Sequence, residues 1–429
     1  MIRRYGLRLA ALTLAVSLAV VAAACGGGGG ETKKGTGTVS VLSLWGGSEQ
    51  EAFQKVLTAF TQETGIKTKY ESARDFLPVI RSRIAAGNPP MVAIIPRPGI
   101  VTDLANEGSL ISLEDLGLDP DKINANYSKA WTDLTTVDGT AYGVVAKANS
   151  KSVIWYRPDD PKVQPVKTWD ELIALTDKLK SDPLKPWTIG AKDSWNLTDF
   201  FENIYARSAG PDKYKQLFGG DLSFDDQSVK DALKMMTDVL NNQTLVGGVD
   251  GALGTTFVDA IGQEFSTNPK AHLFAEGGFV GGITLSDVNP KRKPGKDMDF
   301  FEWPTIDEAN GNPLVGGGDI TAAFVNNEDV AKLIEYLSSP EAGKIWVSTG
   351  AIVSPNKGVA ADAYPNPLVR KEADQVKNAE VFVFDGSDLL PGALGDDWGT
   401  LLQSVLKSPS KADKELTSFQ TQAKDAFAG

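Results

Sequence analysis

Short apolar stretches alternate with amphipathic stretches along most of the chain. Val39–Trp45 is a predicted strand, and the spacing of apolar residues predicts a helix from Ser48 to Gly65. Ser48 with Glu51 matches a capping box at the start of this helix. Met91–Ile95 is a continuous apolar run, which is typical of a central parallel strand. The order of these elements predicts an α/β fold with sheets flanked by helices.

A β-type segment from Asp138 to Asp159 separates this first α/β set from a second one. It opens with the turn signal Asp138-Gly139 and closes with the aromatic run Val153–Tyr156. A helix with a Thr168–Glu171 capping box begins the second set. The chain has 429 residues, which is too long for one typical core, so we expect about two domains.

The first 24 residues have the pattern of an export signal. Arg3, Arg4 and Arg8 precede an uncharged run, and Cys25, the only cysteine, stands at the expected cleavage point. The sequence Ala22-Ala23-Ala24-Cys25 resembles a bacterial lipoprotein cleavage box, which predicts lipidation of Cys25 and attachment to the outer face of the cell membrane, with residues 25–38 as a glycine-rich tether. The alternatives are a secretory signal with a free thiol, and twin-arginine export at Arg3-Arg4.

The charge balance narrows the possible partners. The chain carries a formal net charge of −12 at pH 7, although three of its arginines lie in the leader. An acidic surface disfavours nucleic acid and anionic membrane, and it favours solubility outside the cell.

Several segments in order resemble extracellular solute-binding proteins of bacterial ABC importers, in the carbohydrate-binding branch that includes maltose- and glucoside-binding proteins. The matching segments are Leu44-Trp45-Gly46, Gly87-Asn88-Pro89-Pro90, Leu104–Gly108, Asp138–Gly143, Trp155-Tyr156, Thr168–Leu172, Gly277-Gly278-Phe279, Gly316–Asp319, Ser338–Gly343 and Ser354–Lys357. They extend over nearly all of residues 39–400.

The resemblance implies a two-lobed periplasmic-binding-protein-like fold with a ligand cleft at the hinge. The lobes would comprise residues 39–146 plus 305–350 and residues 147–304 plus 351–429, with crossings near 145–149, 303–305 and 350–354. It further implies a monomer that binds a sugar, closes its lobes and delivers the sugar to membrane permease subunits, with no cofactor and no metal. Ligand drives closure only through a higher affinity for the closed arrangement.

A sugar-binding site needs aromatic rings for the C–H faces and polar groups for the hydroxyls. The aromatic candidates are Trp45 at a strand end, Trp195 and Trp398 in polar surroundings, Phe279 between glycines, and Tyr156 in the bridge. Each has the alternative of core packing or packing beside the hinge.

The polar candidates follow strands or begin helices, because strand ends border the crevice of open α/β sheets. They are Ser48, Glu49, Arg97, Asp199, Asp319 and Asp388. Arg97 suits a bidentate contact. The alternatives are a helix cap for Ser48 and solvated surface charge for the acids.

Two other classes of function stay open. An enzyme is disfavoured because the only histidine, His272, lies in an apolar run and no nucleophile or metal motif is present, although two carboxylates suffice for a glycoside hydrolase. A receptor for an anion, polyamine or peptide is the other alternative, and Gly46-Gly47-Ser48 is a possible anion nest. We expect no catalytic residue.

Overall fold

The structure, a computed structural model, describes residues 32–428. Its strands are β1 Thr38–Ser43, β2 Lys67–Ser72, β3 Val92–Ile95, β4 Thr136–Val137, β5 Thr140–Ala141, β6 Gly143–Ser150, β7 Val153–Tyr156, β8 Lys185–Thr188, β9 Ala271–Ala275, β10 Asp299–Glu302, β11 Leu314–Ala323 and β12 Phe382–Phe384. The predicted signal peptide and Cys25 lie outside the described residues.

Helices connect and cover these strands. They are α1 Gly47–Thr64, α2 Phe76–Ala85, α3 Pro98–Asn106, α4 Pro120–Asn124, α5 Lys129–Asp133, α6 Trp169–Leu179, α7 Trp195–Ser208, α8 Pro211–Phe218, α9 Gln227–Val239, α10 Gly248–Gly254, α11 Phe257–Phe265, α12 Val280–Ile283, α13 Glu328–Leu337, α14 Pro340–Val347, α15 Pro367–Asn378, α16 Gly386–Leu389, α17 Leu394–Lys407 and α18 Ala412–Ala428. None of the helices in residues 32–428 combines the length and apolar content needed to span a bilayer.

The strands form two main sheets. The first has the order β12-β11-β3-β1-β2, with β6 also paired to β11, and the second has the order β10-β7-β9-β8. β1 pairs in parallel with β2 and β3, whereas β11 runs antiparallel to β3. The apolar run at β3 is therefore central and buried, as predicted, but its sheet is mixed. Each sheet packs helices around its own hydrophobic cluster, which confirms the α/β, two-lobed fold class.

The two predicted capping boxes have different outcomes. Thr168 accepts a hydrogen bond from Glu171 N, and the Glu171 side chain accepts one from Thr168 N, so this box is confirmed. The Ser48–Glu51 box is wrong, because α1 begins at Gly47 with Gly46 as its N-cap. Ser48 is thus inside the helix, and its hydroxyl donates to Asp287 Oδ2 at 3.1 Å instead.

The glycine run Gly316–Gly318 lies within β11. β11 pairs antiparallel with β6 along most of its length. A Cβ atom at Gly318 would lie 2.7 Å from the carbonyl oxygen of Lys147 on β6. Glycine is needed at Gly318 because the β6 carbonyl leaves no room for a side chain, and at Gly316 because a Cβ atom would lie 2.6 Å from the Phe382 ring.

The predicted boundaries between the lobes stay predictions. The two hydrophobic clusters favour a different position for the second crossing. Trp303 and Val315 both pack in the second hydrophobic cluster, whereas Ile320 packs in the first. We therefore propose that the second crossing lies within β11 rather than at residues 303–305. The first and third crossings adjoin each other, since Ala148 pairs with Val353.

Part of the predicted tether is docked. Glu328 N donates to the Lys33 carbonyl at 2.9 Å, and Gly37 N donates to Asp329 Oδ2 at 2.7 Å. A Cβ atom at Gly35 would overlap the Asp329 carboxylate. Within the described residues, the segment from Thr32 therefore belongs to the folded body, next to the start of α13.

Substitution of Gly318 tests the close pairing of β6 with β11. Gly318→Ala is expected to lower the free energy of unfolding by about 1–3 kcal/mol, because a backbone carbonyl cannot move aside for the new methyl group. Gly262→Ala in α11 is the control: its Cβ meets nothing within 4 Å, so the helix should gain about 0.5–1 kcal/mol. Urea denaturation measures both, and equal effects would contradict the account.

Candidate functional site

Two buried lysines define the region where the first sheet meets the second. Lys147 lies on β6, and Lys151 follows the end of that strand by one residue. The four-residue spacing places both on the same side of an extended chain. Lysine is seldom buried without a partner, so the groups around these two ammonium ions identify the site.

Lys147 is held by two carboxylates and one aromatic ring. Its Nζ lies 3.0 Å from Glu49 Oε1, 3.2 Å from Asp319 Oδ2, and 4.6 Å from the centre of the Trp45 ring. Burial alone would lower the pKa of Lys147, but Glu49 and Asp319 together raise it above its usual value. This lysine therefore stays charged.

Lys151 is surrounded by more carboxyl groups than Lys147 is. Its Nζ lies 3.1 Å from Asp199 Oδ1 and 3.7 Å from Asp388 Oδ2, and it also contacts Asp385 Oδ2. Burial opposes the charge, yet Asp199 and Asp385 hold the pKa of Lys151 well above its usual value. Burial likewise opposes ionisation of Asp385, but Lys151 outweighs it and the pKa of that carboxyl falls to about 2.

Carboxyl groups outnumber ammonium groups in this region. Burial raises the pKa of Glu276 to about 7, and it raises the pKa of Asp388 to about 7 with the Asp385 charge as the next cause. Burial also raises the pKa of Asp199 well above its usual value. The raised pKa values keep part of these carboxyl groups protonated near neutral pH, so the region offers both donors and acceptors of hydrogen bonds to a polar ligand.

Three buried acceptor atoms beside Lys151 receive no hydrogen bond from an N–H or O–H donor among the described residues. They are Asn149 Oδ1, Asp199 Oδ2 and Glu276 Oε1, although the Asp199 carboxyl also lies within hydrogen-bond reach of the Glu276 carboxyl. Both side-chain polar atoms of Asn196, next to Gly190, are unpaired within residues 32–428 as well. An unpaired buried polar atom costs about 1–3 kcal/mol, so such a group in one region calls for an explanation. A ligand that carries hydroxyl groups would supply the missing partners.

Aromatic rings stand next to these atoms. The Trp195 ring centre lies 5.8 Å from Lys151 Nζ, 4.9 Å from the Phe257 ring and 6.1 Å from the Phe279 ring. Trp195 and Phe279 keep part of their surfaces open. Phe279 also lines a cavity of about 250 Å³ together with Ser48 and Glu49. The cavity thus lies next to the groups that surround both lysines.

Arg97 lies at the rim. Its guanidinium donates to Asp396 Oδ1 at 3.1 Å, and its charge acts on Asp388. The carboxyl groups of Asp319, next to Lys147, and Asp388, next to Lys151, also interact electrostatically, so the groups around the two lysines are neighbours.

Nine of the predicted residues therefore come together: Trp45, Ser48, Glu49, Arg97, Trp195, Asp199, Phe279, Asp319 and Asp388.

Two predicted aromatic residues lie elsewhere, and one has a different role. Trp398 is 0 % exposed and packs against Phe201 and Phe419 in the second core, so its predicted stacking role is corrected to core packing. Tyr156 is buried in the same core against Phe301. Trp45 is buried beneath Lys147, so it supports that ammonium group rather than offering an open face.

The sequence analysis missed the two lysines themselves, together with Glu276 and Asp385. A signal was present for Lys147, which follows the apolar run Val144–Ala146 in a β-type stretch, whereas Lys151 stands among polar residues. Their burial follows from the pairing of β6 with β11, however, and the sequence alone does not give that pairing.

The fold and the site together define a solute receptor with two lobes and a polar, aromatic-lined cleft. Residues 55–374 match the family described as bacterial extracellular solute-binding protein. The chain belongs to this family, whose members act outside the cytoplasm as binding proteins.

Two relatives match over most of their lengths. The chain is 34 % identical over 365 residues to the osmoprotective compounds-binding protein GgtB of Synechocystis, covering 83 % of this chain and 85 % of that protein. It is 33 % identical over 385 residues to the alpha-glucosides-binding periplasmic protein AglE of Rhizobium meliloti, covering 85 % and 83 %.

Solved structures support the fold. The bacterial solute receptor AcbH, described with a preference for β-D-galactopyranose, has a TM-score of 0.81 at 20 % identity and covers 92 % of this chain and all of its own. The receptor RafE in complex with raffinose has a TM-score of 0.73 at 18 % identity, covering 90 % and 99 %. At these identities the likeness concerns the fold alone.

The raised pKa of Glu276 predicts a pH dependence of stability. Between about pH 4.5 and 7 the unfolded chain releases this proton while the folded chain keeps it, so the free energy of unfolding should fall as pH rises through this window. Glu276→Gln should remove that part of the decline. Chemical denaturation of the ligand-free protein at several pH values measures this decline.

The matched control is Glu114→Gln, which removes an exposed carboxylate. It should leave the slope of stability against pH as in the original protein. A Glu276→Gln variant with the original slope would contradict the assigned environment of Glu276.

Proposed function

We propose that the protein binds a carbohydrate, an oligosaccharide or a glucoside, between its lobes and delivers it to the permease of an ABC importer. The observation that carries the proposal is the pair of buried carboxyl oxygens, Asp199 Oδ2 and Glu276 Oε1, that receive no hydrogen bond from a donor group of the described residues and lie around Lys151 beside the Trp195 ring. Sugar hydroxyls donate to such acceptors, and a sugar C–H face packs on an indole. The relative AglE, an alpha-glucosides-binding protein, supports the same class of ligand.

Delivery requires that the ligand first reach the site. Asp199 and Glu276 are buried, so we infer that the structure corresponds to the closed arrangement and that the lobes separate to admit the sugar. The contacts Ser48–Asp287 and Arg97–Asp396 join residues of the two proposed lobes, and they would break on opening. A ligand that bridges the same surfaces shifts the equilibrium toward closure.

One other ligand class has a specific observation in its favour. The excess of carboxyl groups around Lys147 and Lys151 suits a polyamine as well as a polyol. The lysines already neutralise part of that charge, and the aromatic wall of Trp195 and Phe279 favours a sugar. We infer a binding protein rather than a glycoside hydrolase, since the carboxylates nearest the aromatic wall are engaged with Lys151.

Calorimetry with a ligand panel tests the proposal. Maltose, sucrose, raffinose and galactose are compared with putrescine, gluconate and a tripeptide, and at least one sugar should bind while gluconate does not. Release of monosaccharide during incubation would favour the hydrolase. Binding of putrescine or the tripeptide without any sugar would contradict the proposal.

Variants then locate the site. Asp199→Asn and Trp195→Ala should each weaken sugar binding by about tenfold or more, because each removes a contact worth about 1.4 kcal/mol or more. Trp398→Phe is the control: it keeps an aromatic ring in the core and should leave the affinity unchanged. If Trp398→Phe weakens binding and Trp195→Ala does not, the site is assigned to the wrong aromatic residue.

We propose that Cys25 carries the lipid anchor and that the mature protein acts as a monomer at the outer face of the cell membrane. The sequence around Cys25 supports this, and Cys25 itself lies outside the described residues. Cys25→Ser should move the protein from the membrane fraction to the soluble extracellular or periplasmic fraction. Continued membrane association of the variant would contradict the anchor.

A further inference from the structure

A second groove lies between α15 and the start of β11, and it shares no residue with the cleft site. Its volume is about 600 Å³, which is in the range of small-molecule sites. One wall consists of a single face of α15, with residues at helical spacing from Pro367 to Asn378. The other wall includes Arg207, Glu302 and Asn312.

Arg207 is a buried cation without a counterion. Its side chain is 1 % exposed, and no carboxylate of residues 32–428 lies within ion-pair distance of it. The guanidinium Nε donates to Asn312 Oδ1 at 2.6 Å, and Nη1 donates to Asn203 Oδ1 at 3.0 Å. Burial lowers its pKa to about 9, and the Glu302 charge opposes this shift. An uncompensated buried charge is costly, so this position favours an anionic ligand.

A second guanidinium reaches the same groove. Arg370 Nε donates to the Tyr364 carbonyl at 3.0 Å, and Arg370 forms no ion pair in the described part of the chain. Lys371 also lines the groove, but its ammonium group is engaged by Asp299 at 2.8 Å. Arg207 and Arg370 are therefore the two cations available to a ligand.

The groove also carries negative charge. Glu302, Asp374 and Glu380 line it, and they are exposed and form no ion pairs within residues 32–428. A dianion would be repelled by these three groups, and a simple cation by the two arginines. A molecule with one charge of each sign matches both sets.

The α15 wall is fixed from the side of β6. Glu372 accepts a hydrogen bond from Ser150 N at 3.0 Å, and Gln375 Nε2 donates to the Ser152 carbonyl at 3.2 Å. The second bond leaves Gln375 Oε1 without a partner among the described residues. The helix face that lines the groove is thus held in place before any ligand binds, which lowers the cost of binding.

We propose that this groove binds a small zwitterion, with its carboxylate toward Arg207 and Arg370 and its ammonium group toward Glu302 and Asp374. The planar guanidinium fork of arginine suits a carboxylate better than a point charge does. Such a ligand would supply the counterion that Arg207 lacks. The groove is separate from the sugar site, so its occupancy does not depend on the proposed transport function.

The test measures binding of three probes to the full mature protein by calorimetry at low salt. L-alanine carries both charges, whereas acetate and ethylammonium carry one each. L-alanine is expected to bind with a dissociation constant of about 1 mM, and each of the other probes about tenfold more weakly. The absence of alanine binding up to about 50 mM would overturn the proposal, as would equal binding of acetate or ethylammonium.

Matched variants assign the site. Arg370→Gln should weaken alanine binding about tenfold, and Glu302→Gln about threefold because Glu302 is exposed. Lys377→Gln removes the same charge from α15 away from the groove and should leave alanine binding unchanged. Arg207→Met should abolish alanine binding, and sugar binding by this variant checks that it folds. Equal losses in Lys377→Gln and Arg370→Gln would overturn the assignment.

Discussion

The neutralisation of two buried lysines, one on β6 and one just after its end, is the constraint on which the site depends. Lys147 and Lys151 are charged and nearly excluded from water, so each must be surrounded by carboxylates or the fold would lose several kcal/mol. The carboxylates come from segments far apart in sequence, from Glu49 to Asp388. One strand thereby fixes the positions of the cleft walls relative to each other.

The strand can hold this position because its partner strand has three consecutive glycines opposite the end of β6. β11 contributes Gly316, Gly317 and Gly318 opposite the end of β6, and a Cβ atom at Gly316 or Gly318 would meet neighbouring atoms at less than 3.0 Å. The lysine stems therefore lie along a close strand pair, and their ammonium groups extend to the carboxylates. The register shifts between Asp319 and Ile320, where β11 passes from one core to the other.

Much of the fold was predictable because the sequence patterns that determine its elements involve residues close together in the chain. The helix that begins after Thr168, the strand at Val92–Ile95 and the αL residue Gly65 follow from capping, apolar runs and backbone preference. The features that were interpreted wrongly depend on contacts between segments that are far apart in the sequence. The glycines of β11 resemble a loop until β6 is placed beside them, and the tether around Gly35 looks flexible until Asp329 is placed near it.

The same distinction applies to the site. The sequence singled out Asp199, Asp319 and Asp388, which lie around the two lysines, but the strand-end argument does not hold for Asp319, which lies inside β11, or for Asp199, which lies in α7. The burial of Lys147 and Lys151 emerges only from the assembled sheet. Trp398 was assigned to the ligand because two acids precede it. However, it shares a helix face with the buried residues Leu394, Leu401 and Leu402, and that spacing indicates a core position.

A crystal structure with the tightest-binding sugar tests the central claim most directly. The account predicts that sugar hydroxyls lie within hydrogen-bond distance of Asp199 Oδ2 and Glu276 Oε1, with a C–H face of the sugar on Trp195. A sugar bound elsewhere, with both of these oxygens still unpaired, would contradict it.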